Sequence, residues 1–147
     1  METSTLTIKN NTIVDSFAGL VWIRYPQRLF PQLLKYDQGS AVCKKLDYAG
    51  STQWFIPTND QLTKFFNSYK SIITEHVFLP PCWLWTSTPR PFYQEQYIVT
   101  WNGENFYPES ATRISHGNIW PVCSLKDFQT IKIDQEGALK GVELVVV

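Results

Sequence analysis

The strongest hydrophobic pattern in the sequence is a helical stripe near its middle. Apolar residues recur there at the spacing of one helix face: Leu62, Phe65, Phe66, Tyr69 and Ile73. Thr58 and Gln61 precede the stripe at the spacing of a capping box, in which each side chain accepts the other residue's backbone N–H. A weaker stripe predicts an earlier helix over residues 38–48, which Gly50 ends.

Strand-like patterns stand on both sides of these helices. The predicted strands cover residues 5–9, 20–23, 83–87, 97–101, 104–107, 119–123, 130–134 and 142–147. Asn102-Gly103 separates two of them and is a strong hairpin signal, because both residues tolerate positive φ. The order of strands, two helices and more strands predicts an α+β fold with an antiparallel sheet, not parallel βαβ units.

The charge distribution narrows the expected partners. The 147 residues carry 13 basic and 13 acidic side chains, so the formal net charge is zero. A nucleic-acid binder normally has a basic face, so we expect no nucleic-acid partner. No stretch approaches the ~20 apolar residues that cross a bilayer, so we expect no membrane insertion.

The N-terminus bears on the compartment. It lacks the basic-then-apolar pattern of a signal peptide. An extracellular, cell-surface or virion location would therefore require export by another route or a leader that is missing from this chain. The alternative is a cytoplasmic protein.

Residues with catalytic or metal-binding chemistry are few. The three cysteines, Cys43, Cys82 and Cys123, lie far apart in the sequence. The sequence therefore lacks the CxxC spacing that would predict a zinc or redox site. His76 and Cys82 alone would leave a metal ion without its third and fourth ligands. No G-x-S-x-G motif is present, and the two histidines lie far apart in the chain. We therefore expect no metal, no cofactor and no enzymatic activity.

Three blocks of sequence within residues 5–125 resemble a known family. The first block, at residues 13–22, reads IVDSFAGLVW. The second joins Cys43 and Leu46 to AGSTQWFIPT at residues 49–58. The third comprises WTST at 85–88, YIV at 97–99 and VC at 122–123. In this order they are similar to the motifs of the Lcl C-terminal domain family, which has a C-type lectin-like fold related to that of formylglycine-generating enzymes.

The resemblance implies an architecture. It implies one domain over residues 1–125, with two helices flanking a small twisted antiparallel sheet and long loops above it. Residues 126–147 have no counterpart in the family and are expected to form a C-terminal β extension. A Cys43–Cys123 disulfide is also implied, tying the first helix to the last strand of the core. The alternative is two buried, reduced thiols in a cytosolic protein.

The resemblance also implies binding, and the stretch from 88 to 118 holds the aromatic and basic residues for it. Tyr, Trp and Arg are favoured anchors of binding surfaces. The candidate ligand-binding residues are Arg90, Tyr93, Trp101, Tyr107, Arg113, His116 and Asn118. The alternative is that many of them, Trp101 especially, pack in the core.

Two functions of different classes are consistent with these patterns. The first is a non-enzymatic binding module that recognises a glycan or protein at a cell or virion surface. The second is a structural or assembly subunit of a phage, appendage or secretion particle, with a homo-oligomer or assembly contact through residues 126–147. An open apolar strand at 142–147 would aggregate. It therefore either pairs with the strand around Leu6 and Ile8 in its own chain or joins a neighbouring subunit.

Overall fold

A computed structural model describes residues 4–91, 93–127 and 142–146 of the chain. These residues form an α+β structure with two small antiparallel sheets. The helices are α1 (Pro26–Leu29), α2 (Tyr36–Lys45) and α3 (Asn59–His76), and a 3₁₀ turn covers Leu125–Asp127. The strands are β1 (Ser4–Ile8), β2 (Thr12–Asp15), β3 (Leu20–Ile23), β4 (Cys82–Arg90), β5 (Glu95–Trp101), β6 (Phe106–Thr112), β7 (Val122–Ser124) and β8 (Val142–Val146). The chain divides into two compact units, and each contains one of the sheets.

The first unit comprises the described residues of Met1–Arg24, Cys43–Phe55 and Pro121–Val147. Its sheet has the strand order β7-β3-β2-β1-β8, and every neighbouring pair is antiparallel. Every residue of β2 and β3 is buried. The middle of the sheet is therefore part of the core of this unit.

The C-terminal strand β8 extends this sheet. It runs antiparallel to β1, with Val146 opposite Ser4 and Val142 opposite Ile8. Of the two positions expected for the strand at 142–147, the structure shows the one within its own chain. The strand predicted at 130–134 lies outside the described residues.

Parts of two of the sequence blocks form turns of the first unit. The buried Asp15 accepts hydrogen bonds from Ala18 N through its carboxylate (3.1 Å) and from Gly19 N through its main-chain oxygen (2.9 Å). Gly19 has a φ of 73°, a conformation that favours glycine. The indole N–H of Trp54 donates to the main-chain oxygen of Ser51 at 3.0 Å. These residues therefore specify the backbone path between neighbouring elements.

The second unit comprises Tyr25–Val42 and Ile56–Trp120. Its main helix, α3, begins at the predicted capping box: Thr58 Oγ1 accepts from Gln61 N at 3.1 Å, and Gln61 Oε1 accepts from Thr58 N at 2.9 Å. All five residues of the predicted apolar stripe are buried. At Tyr69 the backbone leaves the helical range, with φ −131° and ψ 28°, and the helix kinks there.

An aromatic cluster joins α3 to the three-stranded sheet β4-β5-β6. Phe66 packs against Trp101 of β5 and Phe106 of β6, with ring centroids 5.1 and 5.4 Å apart. Phe65 and Phe66 both contact Trp120 edge-on, at 5.6 and 5.9 Å. This cluster forms the centre of the core of the second unit.

The structure confirms the predicted hairpin and corrects the predicted loops. The β5–β6 turn contains Asn102 and Gly103, and Gly103 has a φ of 96°. The turn covers residues 102–105, so the second strand begins at Phe106 and not at the predicted position 104. Residues 88–118, expected to be rich in loops around the strands predicted at 97–101 and 104–107, are mostly strand, because β4 continues to Arg90 and β5 and β6 pair along their whole length. The polar sequence of residues 108–112 concealed the second part of β6. It lies at a sheet edge, where Pro108 can be accommodated and polar side chains face solvent.

Candidate functional site

Two of the seven candidate residues are part of the core. Trp101 is 1% exposed, and its indole N–H donates to the main-chain oxygen of Leu79 at 3.0 Å. Asn118 is also buried, and its main chain is hydrogen-bonded to Trp83 and Trp85 at 3.0 Å each. Neither side chain lies on the exposed surface, so the candidate site excludes both.

Arg90, at the end of β4, is held by three neighbours. Its Nη1 atom lies 3.0 Å from Glu95 Oε1 and 3.2 Å from Ser110 Oγ. Its guanidinium carbon lies 4.3 Å from the ring centroid of Tyr93, which is cation–π geometry. The Tyr93 side chain is 59% exposed. Arg90 thus restrains an aromatic ring that remains accessible to a ligand.

Arg113, directly after β6, has a similar arrangement with the start of α2. Its Nη2 atom donates to Asp37 Oδ1 at 2.7 Å, and its guanidinium carbon lies 5.0 Å from the Tyr36 ring centroid. Tyr36 in turn packs edge-on against the buried Trp85, with centroids 5.6 Å apart. The exposed Arg113–Asp37 pair is therefore anchored to the core through an aromatic contact.

Strand register brings the two arginine sets to the same end of the sheet. Glu95 stands opposite Arg90 on one side and Thr112 on the other. Arg113 N also donates to Gln94 O at 3.3 Å. Ile114, in the turn after Arg113, is 75% exposed. We name this region the hairpin-end surface and define it by Tyr36, Asp37, Arg90, Tyr93, Glu95, Arg113 and Ile114.

The remaining exposed candidates are Tyr107 and His116. Tyr107 lies six residues before Arg113, which places the two roughly 20 Å apart along the strand direction. It stands opposite Thr100, whose hydroxyl donates to the carboxylate of Glu109. His116 is exposed in the segment after β6. The structure therefore groups Arg90, Tyr93 and Arg113, and it separates Tyr107 from them.

A groove that the sequence patterns did not reveal lies between the C-terminal half of α3 and the β5–β6 turn. It consists of two adjacent cavities of about 290 and 270 Å³, both lined by Thr74. Phe78, which lines the larger one, is 75% exposed. The available sequence signal was the apolar run Val77, Phe78 and Leu79 before Pro80. Such a run reads equally well as core, so it did not identify a groove.

The three cysteines are free thiols in the structure. Burial raises the pKa of Cys43, Cys82 and Cys123 to about 12. At Cys123 a hydrogen bond with Ser51 opposes that rise, whereas the charge of Asp127 adds to it. The thiols are therefore protonated at neutral pH, which does not favour nucleophilic attack. The Cys43–Cys123 bridge stays a prediction for an oxidising environment.

Two further features of the described residues concern metal binding and membrane insertion. No group of three His, Cys, Asp or Glu side chains in that part of the chain is arranged to hold a metal ion. None of the helices built from those residues has the length and apolarity needed to span a bilayer. Neither result assigns a function.

Comparison with known proteins identifies no family for the chain. No protein-family model matches the sequence, and no curated protein matches it either. The Lcl C-terminal domain family therefore stays an expectation that rests on the three sequence blocks.

Proposed function

We propose that this protein is a non-enzymatic binding module that recognises a protein or glycan through the hairpin-end surface. One observation carries the proposal. Two arginines, each over a tyrosine ring and each paired with a carboxylate, lie at the same end of one small sheet. Tyrosine and arginine are enriched among residues that dominate binding energy at interfaces.

The side chains of this surface are ordered before any ligand arrives. Arg90 has three partners, and Arg113 is held by Asp37 and Tyr36. Side chains that are already restrained lose less conformational entropy on binding. Exposed ion pairs contribute little to stability, so the need for a stable fold does not account for the exposed Arg113–Asp37 pair.

The charges of the surface favour a neutral or mixed-charge ligand. Arg90 and Arg113 are balanced by Glu95 and Asp37, so no net positive charge is available to attract a polyanion. Tyr93 and Ile114 add exposed apolar area beside these pairs. This combination resembles the polar rim and aromatic contacts of protein interfaces.

The proposal includes a C-type lectin-like fold and a position at a cell or virion surface. Both rest on the resemblance to the Lcl C-terminal domain family. The α+β class is compatible with this resemblance. The turn at Asp15 and the helix cap at Thr58 are compatible with it too, since both residues belong to the blocks that carry the resemblance.

The test is a comparison of three proteins on a glycan array and a protein array. The wild type is probed beside Tyr93→Ala/Arg113→Ala and beside Tyr107→Ala, which removes an exposed ring far from the site. Affinity for each bound ligand should fall more than about tenfold in the double variant and stay within about twofold in the control. Unchanged binding by the double variant, or no wild-type ligand on either array, overturns the proposal.

One observation favours the second function, an assembly subunit. The strand β8 is at an edge of the five-stranded sheet, with β1 as its only strand partner among the described residues. A strand at an edge can pair with a strand of another chain. Light scattering after size-exclusion chromatography tests this function, because an assembly subunit forms a stable oligomer at micromolar concentration, whereas a monomer at all concentrations contradicts it.

A further inference from the structure

The groove beside α3 has an apolar half and an acidic half. The larger cavity is lined mainly by Val77, Phe78, Leu79, Pro80, Trp101 and Gly103. The smaller one is lined by Lys70, Ser71, Glu75 and Glu104, with Thr74 common to both. A ligand that spans Thr74 therefore meets apolar carbon on one side and two carboxylates with one ammonium on the other.

Contacts on both walls fix the shape of the apolar half. The Trp101 indole is held by its hydrogen bond to Leu79 O, so the floor of the cavity is part of the core. Phe78 stacks on Tyr25, with centroids 6.2 Å apart and an interplanar angle of 22°. The guanidinium of Arg28 lies 4.4 Å from the same Tyr25 ring. The exposed Phe78 side chain is thereby held in place, and its large apolar area remains accessible.

The β5–β6 turn is tied to the helix at the acidic half. Lys70 Nζ donates to Asn105 Oδ1 at 2.9 Å. Asn102 Oδ1 accepts from the backbone N–H groups of Glu104 and Asn105, which fixes the turn that carries Glu104. The groove is therefore largely preformed, and a ligand need not order its walls.

The charges at this end favour a cation. The carboxylates of Glu75 and Glu104 outnumber the ammonium of Lys70 in the lining of this cavity, and that ammonium donates to Asn105 Oδ1, so one net negative charge remains. The C-terminal end of α3 adds partial negative charge, because the last carbonyl groups of a helix lack intrahelical donors. A Lys or Arg side chain complements all three groups.

We propose that this groove binds an extended segment of a partner protein that carries one aliphatic or aromatic side chain and one nearby Lys or Arg. The apolar side chain enters the cavity beside Phe78, and the cation lies between Glu75 and Glu104. Pockets for whole small molecules measure about 300–1,000 Å³. Each cavity here is at or below that lower limit, so each fits a single side chain better than a cofactor. The site is independent of the hairpin-end surface, because Trp101 lies six residues along β5 from Glu95, roughly 20 Å.

Synthetic octapeptides test the proposal. The probes have Gly/Ser frames that carry one Leu or Phe and, one to four residues away, one Lys or Arg. A matched set has Glu in place of the basic residue. Fluorescence anisotropy should show wild-type protein binding the basic set about tenfold more tightly than the acidic set. Equal binding of the two sets, or no binding of either, overturns the proposal.

Variants locate the site. Glu75→Gln/Glu104→Gln keeps side-chain shape and should reduce the preference for basic peptides to about twofold or less. Asp47→Asn/Asp127→Asn makes the same change in net charge at exposed positions outside the groove, and the preference should persist. Loss of the preference in both double variants would mean that net charge alone causes it, and would overturn the assignment.

Thr74→Arg fills the groove where its halves meet. Thr74 is exposed, so the variant should fold, and circular dichroism verifies this. In ¹H–¹⁵N spectra the Trp101 indole resonance should shift on peptide addition to wild type and stay in place in this variant. A shift that persists in Thr74→Arg overturns the proposal. So does a concentration-dependent dimer that the variant abolishes, because a second copy would then be the occupant.

Discussion

Gly117 lies so close to Trp83 that a β-carbon on residue 117 would stand 2.3 Å from Cζ3 of the indole ring. The backbone cannot withdraw easily, since Gly117 and Leu34 exchange two hydrogen bonds of 2.8 Å. The ring is also restrained, because it packs edge-on against the buried Trp85 with centroids 5.0 Å apart. Position 117 therefore requires glycine, because its backbone lies so close to the Trp83 ring. The segment that contains Gly117 connects the hairpin-end surface to the core.

Gly117→Ala should therefore lower the free energy of unfolding by about 1–3 kcal/mol, the usual cost of overpacking. Urea denaturation measures the change. Trp83→Leu removes the ring atoms that clash, so the double variant should be more stable than the sum of the two single changes indicates. Strict additivity would show that the clash is relieved elsewhere.

The sequence predicted features whose partners are close along the chain. The capping box of Thr58 and Gln61 spans three residues. The turn at Asn102-Gly103 depends on the positive φ of Gly103 and on Asn102 Oδ1, which accepts from two backbone N–H groups of the same turn. The sequence also predicted the apolar stripe of α3, because apolar residues spaced three or four positions apart indicate the buried face of an amphipathic helix. The kink at Tyr69 has no such local signature, and the sequence did not predict it.

The candidate site was only partly predictable, because its geometry depends on distant residues. Asp37 and Arg113 are 76 positions apart, and only the pairing of the surrounding segments brings them together. Trp101 has the residue type of a binding anchor, but its side chain packs against Phe66 of α3. Residue type alone does not reveal which face of a strand is covered, so the sequence placed a core residue among ligand-binding ones.

The capping box gives a second stability prediction. Thr58→Ala removes the acceptor for Gln61 N and should destabilise the protein by about 1 kcal/mol. Thr63→Ala is the matched control, because Thr63 lies within α3 and its hydroxyl bonds to Asn59 O without capping a free N–H. Thermal melts followed by circular dichroism should show the loss only for Thr58→Ala. Equal effects would indicate that the contribution of Thr58 is not capping.

The thiols give a prediction about compartment. Cys43 and Cys123 are almost fully buried, so iodoacetamide at neutral pH should leave both unmodified in the folded protein and alkylate all three cysteines after unfolding. Material purified from an oxidising natural site should instead lack two hydrogens by intact mass, with Cys82 as the remaining thiol. Three free thiols in such material would contradict the predicted bridge and favour a cytosolic protein.

Stability should also depend on pH through the same groups. Burial raises the pKa of the Cys43 thiol from 9.0 to about 12, so the folded state binds its proton more tightly than the unfolded state does. The contribution of this thiol to the free energy of unfolding is fully present below pH 9. It is lost as the pH rises from 9 toward 12, at about 1.4 kcal/mol per pH unit. Cys43→Ala should therefore show a shallower decline above pH 9 in urea denaturation. An unchanged slope would mean that the thiol does not contribute.

The β1–β8 pair predicts the effect of removing the end of the chain. β8 pairs with all five residues of β1, from Ser4 opposite Val146 to Ile8 opposite Val142. Cross-strand pairs contribute about 0.2–1 kcal/mol each, so deletion of residues 142–147 should lower the free energy of unfolding by roughly 1–5 kcal/mol.

The oligomeric state should not change, because the partner strand belongs to the same chain. Thermal melts and light scattering measure the two quantities separately. Dissociation of an oligomer into folded monomers on deletion would place β8 in a neighbouring subunit and support the assembly function. If neither stability nor oligomeric state changes, the β1–β8 pair does not stabilise the protein in solution and the prediction is wrong.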